Sequence, residues 1–348
     1  MAVPGLVSLA ENARAESRAT ADDTARFLAG MRPSILSTLG GASRDADWQA
    51  HAAQMDGAWA SFEQRQMNRV RVWASANLPP PRPTMFYMFS GPDFLHAEAL
   101  FPHALTYVLS GLEPVGSLPD ASSLTSAELA SLRFSLSNFL QYGYFITREM
   151  GSQFKAGKLK GTLPVLYVFL ARAGKKIQDV SFVTLNHQGT IRVTKGNRSA
   201  NGVRITFSGS DGRARRLYYF RTDLSDAGVK KSGFLKFCAF LGVGDALVKS
   251  ASYLMHTGAF TRVRAFLLSH SATLVQDDSG IPLKFFQSGL WRLHPFGQYA
   301  GPTDQFRRYF QKDLETLFNS GKAARVNFGI GYRWHPSRTN ILVAERAR

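Results

Sequence analysis

The groupings in this sequence most suited to chemistry are two short turns. Ser90-Gly91-Pro92-Asp93 follows the apolar run Met85-Phe86-Tyr87-Met88-Phe89, and Ser110-Gly111-Leu112-Glu113 follows Leu105-Thr106-Tyr107-Val108-Leu109. Glu113 lies 20 residues after Asp93. An acid at the end of a second strand accepts two hydrogen bonds from a ribose diol, and a glycine turn after the first strand lets a ligand approach the backbone. Ser90, Gly91, Asp93 and Glu113 are therefore the candidate cofactor-binding residues. Two plainer readings stay open: Asp93 as the N-cap of a following helix, and Glu113 as a turn residue before Pro114.

Two further groups are candidates to face a substrate. Asp277-Asp278-Ser279-Gly280 offers paired carboxylates for acid–base or metal chemistry, although turn formation explains the same residues. Adjacent side chains on a strand point to opposite faces, so the two acids share a site only in a turn. Lys249, Ser252, Tyr253 and His256 fall on one stripe if the segment is helical, whereas on a strand Lys249 and Tyr253 share one face and Ser252 and His256 the other; His256 is a candidate general base, although a structural histidine is the commoner use. His256 and Asp277 carry the catalytic expectation.

Several chemistries are disfavoured. The His96-Ala97-Glu98 pattern of a zinc deaminase needs a Pro-Cys-x-x-Cys partner, and the chain has one cysteine, Cys238. No His-Glu-x-x-His, P-loop or Gly-x-Ser-x-Gly pattern occurs, and no metal is expected. Cys238 sits among Phe234, Leu235, Phe237, Phe240 and Leu241 and reads as a buried thiol.

The elements that must position these residues follow from periodicity. Three-to-four spacing of Trp48, Met55, Trp59, Phe62, Met67, Val70 and Trp73 predicts helix over 48–74, after a shorter helix over 20–31. A proline run at 79–83 then breaks the helix, and residues 1–83 read as a helical N-terminal region. Strand 85–89, helix 94–101 and strand 105–110 make one βαβ unit. Thr125 and Glu128 have capping-box spacing and open a helix toward 146. Residues 163–172 read as a buried strand, 178–222 as a β-rich insertion with hairpins, and 231–241 as helix. Strand 246–255, helix 260–269 and strand 272–276 follow. Residues 291–299, rich in aromatics, glycine and proline, suit either a lid or a packed Ω-loop. A helix over 303–318 and an antiparallel hairpin of 326–332 with 340–344 close the chain.

Composition agrees with a globular chain: 348 residues, 45% apolar, 12% aromatic. The 26 Phe, 11 Tyr and 5 Trp exclude wholesale disorder. The formal charge is +17 and uneven, with no lysine before residue 151 and 16 basic side chains against four acids over 155–231. Such a surface attracts polyanions: nucleic acid, lipid headgroups or acidic glycans. Arg213, Arg215 and Arg216 are its densest cluster. A non-catalytic polyanion-binding protein is accordingly one functional expectation. No apolar run approaches the roughly 20 residues that span a bilayer. The N-terminus is a poor signal peptide, which suits the cytoplasm, or export if a signal has been removed.

The element order resembles class I S-adenosylmethionine-dependent methyltransferases. The similarity covers the βαβ opening, the strand–helix–strand near 246–276 and the closing hairpin. It implies an α/β protein with a Rossmann-like, seven-stranded sheet over 84–348, its last strand inserted antiparallel, and S-adenosylmethionine as cofactor. The opening loop of that family usually carries two or three glycines, whereas Ser90-Gly91-Pro92-Asp93 carries one. A dinucleotide is a poorer fit, because a carboxylate at the helix start competes with pyrophosphate for the N–H groups.

Overall fold

The computed structural model describes residues 19–145 and 157–347. It is a mixed α/β protein built on a ten-stranded sheet. The strands are β1 Thr84–Tyr87, β2 Thr106–Gly111, β3 Lys176–Leu185, β4 Ile191–Val193, β5 Gly202–Ser208, β6 Ala214–Arg221, β7 Gly244–Val248, β8 Ser271–Gln276, β9 Trp291–Gly297 and β10 Asn340–Arg346. They lie in the order β4-β3-β5-β6-β2-β1-β7-β8-β10-β9. The pairs β6/β2, β2/β1, β1/β7 and β7/β8 are parallel. β10 runs against both β8 and β9. From β1 the chain goes to β2 and β6 on one side, then returns to β7 and β8 on the other, so chain order reverses between β1 and β7.

The central strands are apolar on both faces because helices cover both. Met85 and Tyr87 enter one core while Phe86 and Met88 enter the other, as the two-residue period requires. The first face carries α1 (Ala21–Leu28), α3 (Ala46–Phe62), α4 (Asn68–Asn77), α5 (Phe94–Leu100), α6 (Ser126–Tyr142) and α7 (Leu163–Arg172); a short α2 (Leu39–Ala42) precedes α3. The second carries α8 (Asp226–Ser232), α9 (Phe234–Phe240) and α10 (Thr261–His270). α11 (Lys312–Phe318) packs with Tyr299 and Leu342. The N-terminal helices share their core with the sheet: Trp59 meets Phe169 at 6.0 Å and Phe62 meets Phe139 at 5.8 Å.

The βαβ unit and the Thr125–Glu128 capping box form as the sequence predicts. α6 stops at Gly143, in the left-handed conformation, and the last expected residue, 146, lies outside the described residues. Several expectations change. The strand expected over 246–255 stops at Val248, where left-handed φ at Ser250 ends it ahead of a 3₁₀ turn over Leu254–His256, and 291–299 holds strand β9 in place of a lid or Ω-loop. Leu163–Arg172 is a helix, not a strand. An unbroken apolar run fits either when both faces are buried, and here its ten-residue length and Pro164 in the first turn decide. β10 pairs with β9, not with 326–332. β9 is an edge strand, where a proline such as Pro295 is tolerated. The helix over 231–241 is two helices broken at Gly233, whose φ of +68° and 2.0 Å approach of a would-be Cβ to the Asn186 carbonyl both demand glycine. The segment 303–318 is likewise a 3₁₀ turn, Asp304–Tyr309, followed by α11.

The β-rich region divides. β3, β4 and β5 extend the sheet antiparallel, whereas β6 joins the parallel core beside β2. Among the described residues, no helix is long and apolar enough to cross a membrane.

Candidate functional site

At the reversal point, the loops leaving the carboxyl ends of β1 and β7 are strained. Phe89, Ser250, Ser252 and Tyr253 have φ between +50° and +61°, and no other non-glycine does among the described residues. Left-handed φ at non-glycine residues persists only where the surroundings impose it, and such strain clusters at functional sites. The bracing is visible. Asp277 Oδ2 accepts from Ser250 N–H at 3.0 Å, and Ser279 Oγ accepts from Ala251 N–H at 2.8 Å. Tyr332 donates its hydroxyl to the Ser250 carbonyl at 3.0 Å, and its oxygen accepts from Ser252 N–H at 3.2 Å. Tyr253 donates to Asp278 Oδ2 at 2.6 Å.

These loops enclose a cavity of about 310 Å³. Ser90 and Gly91 form one edge, Gly111 and Glu113 a second, and Lys249 and Ser250 a third. Leu112, Leu224 and Phe260 make apolar walls. Ser90 ties the strand ends together: its hydroxyl accepts from Ser110 N–H at 3.0 Å and lies 3.1 Å from the Ser110 carbonyl. Gly91 N–H donates to the same carbonyl at 3.0 Å. Glu113 is 7% exposed. Burial raises the pKa of its carboxyl, opposed by its own N–H and that of Leu112. A Cβ on Gly111 would lie 2.6 Å from Glu113 Oε2 and 2.8 Å from the Tyr219 hydroxyl, so glycine keeps room for this carboxylate.

Beneath the cavity sits a buried polar cluster. Asp93 Oδ2 accepts from Lys249 Nζ at 2.9 Å and from the Tyr87 hydroxyl at 2.9 Å. Asp93 Oδ1 accepts from His96 N–H at 3.1 Å and lies 3.1 Å from His96 Nδ1. Lys249 Nζ also donates to the Gly143 carbonyl at 2.5 Å. Asp93 therefore caps α5 and holds Lys249, the one lysine among the described residues that line the cavity.

The expected residues separate into three places. Ser90, Gly91 and Glu113 line the cavity, and Asp93 lies one layer below, in contact with Lys249 and Tyr87, which line it. Asp277 and His256 stand behind the β7 loop: Asp277 braces Ser250, and His256 packs against Tyr253 and Tyr309 at 5.2 and 5.3 Å. The two acids diverge in their turn, Asp277 toward Ser250 and Asp278 toward Tyr253 and Asn340. Of the basic cluster, Arg215 is buried and held by Asp211 at 2.6 and 2.8 Å, while Arg213 and Arg216 are exposed. His96 and Glu98 also part company, Glu98 pairing with Lys175 at 2.6 Å. Cys238 is a buried free thiol.

Sequence reasoning missed Tyr87, Tyr144 and Thr222-Asp223-Leu224, all in the cavity wall. The last group follows β6; the apolar Leu217-Tyr218-Tyr219-Phe220 run ahead of it was the available sign of a central strand.

Two titrations oppose one another. Burial lowers the pKa of His256 to about 4, so its stabilising contribution is complete above its ordinary 6.5 and drains away as pH falls. Burial, with the neighbouring Asp278 charge, pushes Asp277 up to about 6, so its contribution is complete below its ordinary 3.8 and is lost as pH rises through 6. Asp277→Asn is expected to steepen the loss of stability between pH 6 and 4, because it removes the opposing term. Urea midpoints of both proteins across that interval check this; parallel profiles contradict it.

No protein-family model, curated protein or solved structure matches this chain.

Proposed function

We propose that the cavity binds an adenosine-bearing, phosphate-free cofactor, S-adenosylmethionine, and that the protein is methyltransferase-like. The observation that carries this reading is Glu113: a desolvated carboxylate at the end of β2, facing a cavity at the point where chain order reverses. Ligands of open α/β sheets bind at such points, and an acid at this strand end suits a ribose diol. Strand topology supports a Rossmann-like, methyltransferase-like core. Numbered in chain order, β6-β2-β1-β7-β8-β10-β9 run three-two-one-four-five-seven-six, with the seventh reversed.

The residues present fit this cofactor better than a dinucleotide. Among the described residues, Glu113 and Asp223 are the acids in the wall, and Lys249, its one lysine, is already paired with Asp93. That balance tolerates a sulfonium cation and repels a pyrophosphate. The N–H of His96 in the first turn of α5 is already taken by Asp93. Glu113 would hold the ribose, Leu112 and Leu224 the base, and Lys249 the carboxylate of the aminoacyl arm. When bound, the cofactor would supply an electrophilic methyl group.

Glu113→Gln is expected to weaken S-adenosylmethionine binding about 10- to 100-fold, since hydrogen bonds to charged groups contribute about 1.5–3 kcal/mol. Its unfolding midpoint should stay near that of the unaltered protein, because a buried carboxylate is relieved. Calorimetric titration of both proteins tests this. Equal affinities would overturn the role of Glu113.

A further inference from the structure

Beside the cofactor cavity lie two more openings that share the segment 332–338. One, of about 270 Å³, is lined by Arg65, Arg69, Gln66, Tyr142, Trp334 and His335 among others. The second, of about 430 Å³, is lined by Tyr332, Arg333, Trp334, His335, Ser337 and Arg338. Among the described residues, no aspartate or glutamate lines either one.

Three of the four arginines are fixed by carbonyl oxygens and not by carboxylates. Arg65 donates to Leu140 and Gln141 at 2.6 and 3.1 Å, Arg69 to Asn327 at 2.6 Å, and Arg333 to Gly301 and Pro302 at 3.0 and 2.7 Å. The guanidinium groups are thus oriented without a carboxylate ion pair among the described residues, although Arg333 also draws on the charges of Asp278 and Asp304; such an arrangement suits anions. Aromatic rings run through the same region. Trp334 is 38% exposed. It meets Tyr142 at 5.2 Å, Tyr142 meets Tyr144 at 6.1 Å, and Tyr144 meets Tyr332 at 5.4 Å. Tyr144 itself lines the cofactor cavity.

We propose that this arginine-and-aromatic rim binds single-stranded nucleic acid, with phosphates at Arg65, Arg69, Arg333 and Arg338 and an unpaired base stacked on Trp334. Fixed positive charge interleaved with exposed rings is how sequence-tolerant single-strand binding is built. A duplex hides its base faces from an indole, and an acidic glycan has none to offer. The rim is separate from the basic cluster at Arg213 and Arg216. The proposal rests on the cofactor reading only in making the strand a substrate; the binding itself does not depend on it.

The test is fluorescence anisotropy of the whole protein with a short, labelled, mixed-sequence single strand, without S-adenosylmethionine, across a salt series. Heparin serves as a polyanion lacking bases. The unaltered protein should bind the strand more tightly than the matching duplex. Trp334→Ala should weaken strand binding about tenfold or more, as loss of one stacked base does, and leave heparin binding unchanged. Arg338→Glu should weaken both and flatten the salt dependence. Both side chains are exposed, and unchanged thermal midpoints would establish that the variants fold. No strand binding at low salt, or strand binding indifferent to Trp334→Ala, would overturn the proposal. Because cofactor is absent throughout, either result is independent of whether the neighbouring cavity binds S-adenosylmethionine.

Discussion

Asp93→Ala should cost about 3–5 kcal/mol of stability, the usual consequence of removing one partner of a buried ion pair. Asp93 is 1% exposed and Lys249 2%. Without the carboxylate, the ammonium keeps the Gly143 carbonyl and loses its counter-charge, while Tyr87 and the first turn of α5 lose their acceptor. The rings of Tyr87 and Phe139, 6.0 and 5.9 Å from Nζ, do not replace a charge. Asp93→Asn combined with Lys249→Met should recover much of the loss, because the unpaired charge goes with the pair. Burial by itself raises the pKa of Asp93, but the favourable contacts with His96 and Lys249 outweigh it and hold the carboxyl below its ordinary 3.8. The pair therefore stabilises fully above that value and its contribution is lost as pH falls below it. Urea denaturation of the three proteins at neutral pH checks the ordering; a single variant within about 1 kcal/mol of the unaltered protein would contradict the account of a charged pair.

Phe139→Ala should be comparably damaging, about 3–5 kcal/mol. Phe139 is fully buried and central to an aromatic cluster, with Phe145 at 4.6 Å, Phe169 at 4.8 Å and Phe62 at 5.8 Å. Those rings come from different elements, so the void left behind cannot close by moving one side chain. Phe139 also roofs the polar cluster: the His96 ring meets it edge-on at 5.8 Å. Its removal should admit water to Asp93 and Lys249 and weaken cofactor binding as well. Phe139→Leu should keep most of both, since it restores most of the volume. Denaturation midpoints and hydrogen exchange in α6 report the two effects separately.

What the sequence discloses and what it hides follow from the range of the forces involved. β1, α5 and β2 are set by neighbours along the chain: an apolar run, a capping aspartate, a second apolar run. They appear where expected and place Ser90, Gly91 and Glu113 in the cavity wall. Leu163–Arg172 and β9 depend on distant partners, and the structure differs from the local pattern at both. The β7 loop is the clearest case. Ser250, Ser252 and Tyr253 are not residue types that favour left-handed φ, and their conformation is imposed by Asp277, Ser279 and Tyr332, the last 82 residues from Ser250. No local pattern encodes that. Lys249, one member of a stripe only if its segment is helical, instead follows β7 directly and pairs with Asp93.

The central claim is that the cavity between β1, β2, β6 and β7 is a phosphate-free nucleoside site. The most direct measurement is calorimetric titration of the intact protein at fixed salt with S-adenosylmethionine, S-adenosylhomocysteine, NAD and ATP. A ligand that binds only the folded state also raises stability, by about 2.7 kcal/mol at 100-fold excess over Kd, so a thermal scan of the same samples gives an independent reading. The account predicts binding and a raised midpoint with the first two and neither effect with the last two. Binding of NAD or ATP in their place, or of none of the four, would contradict it.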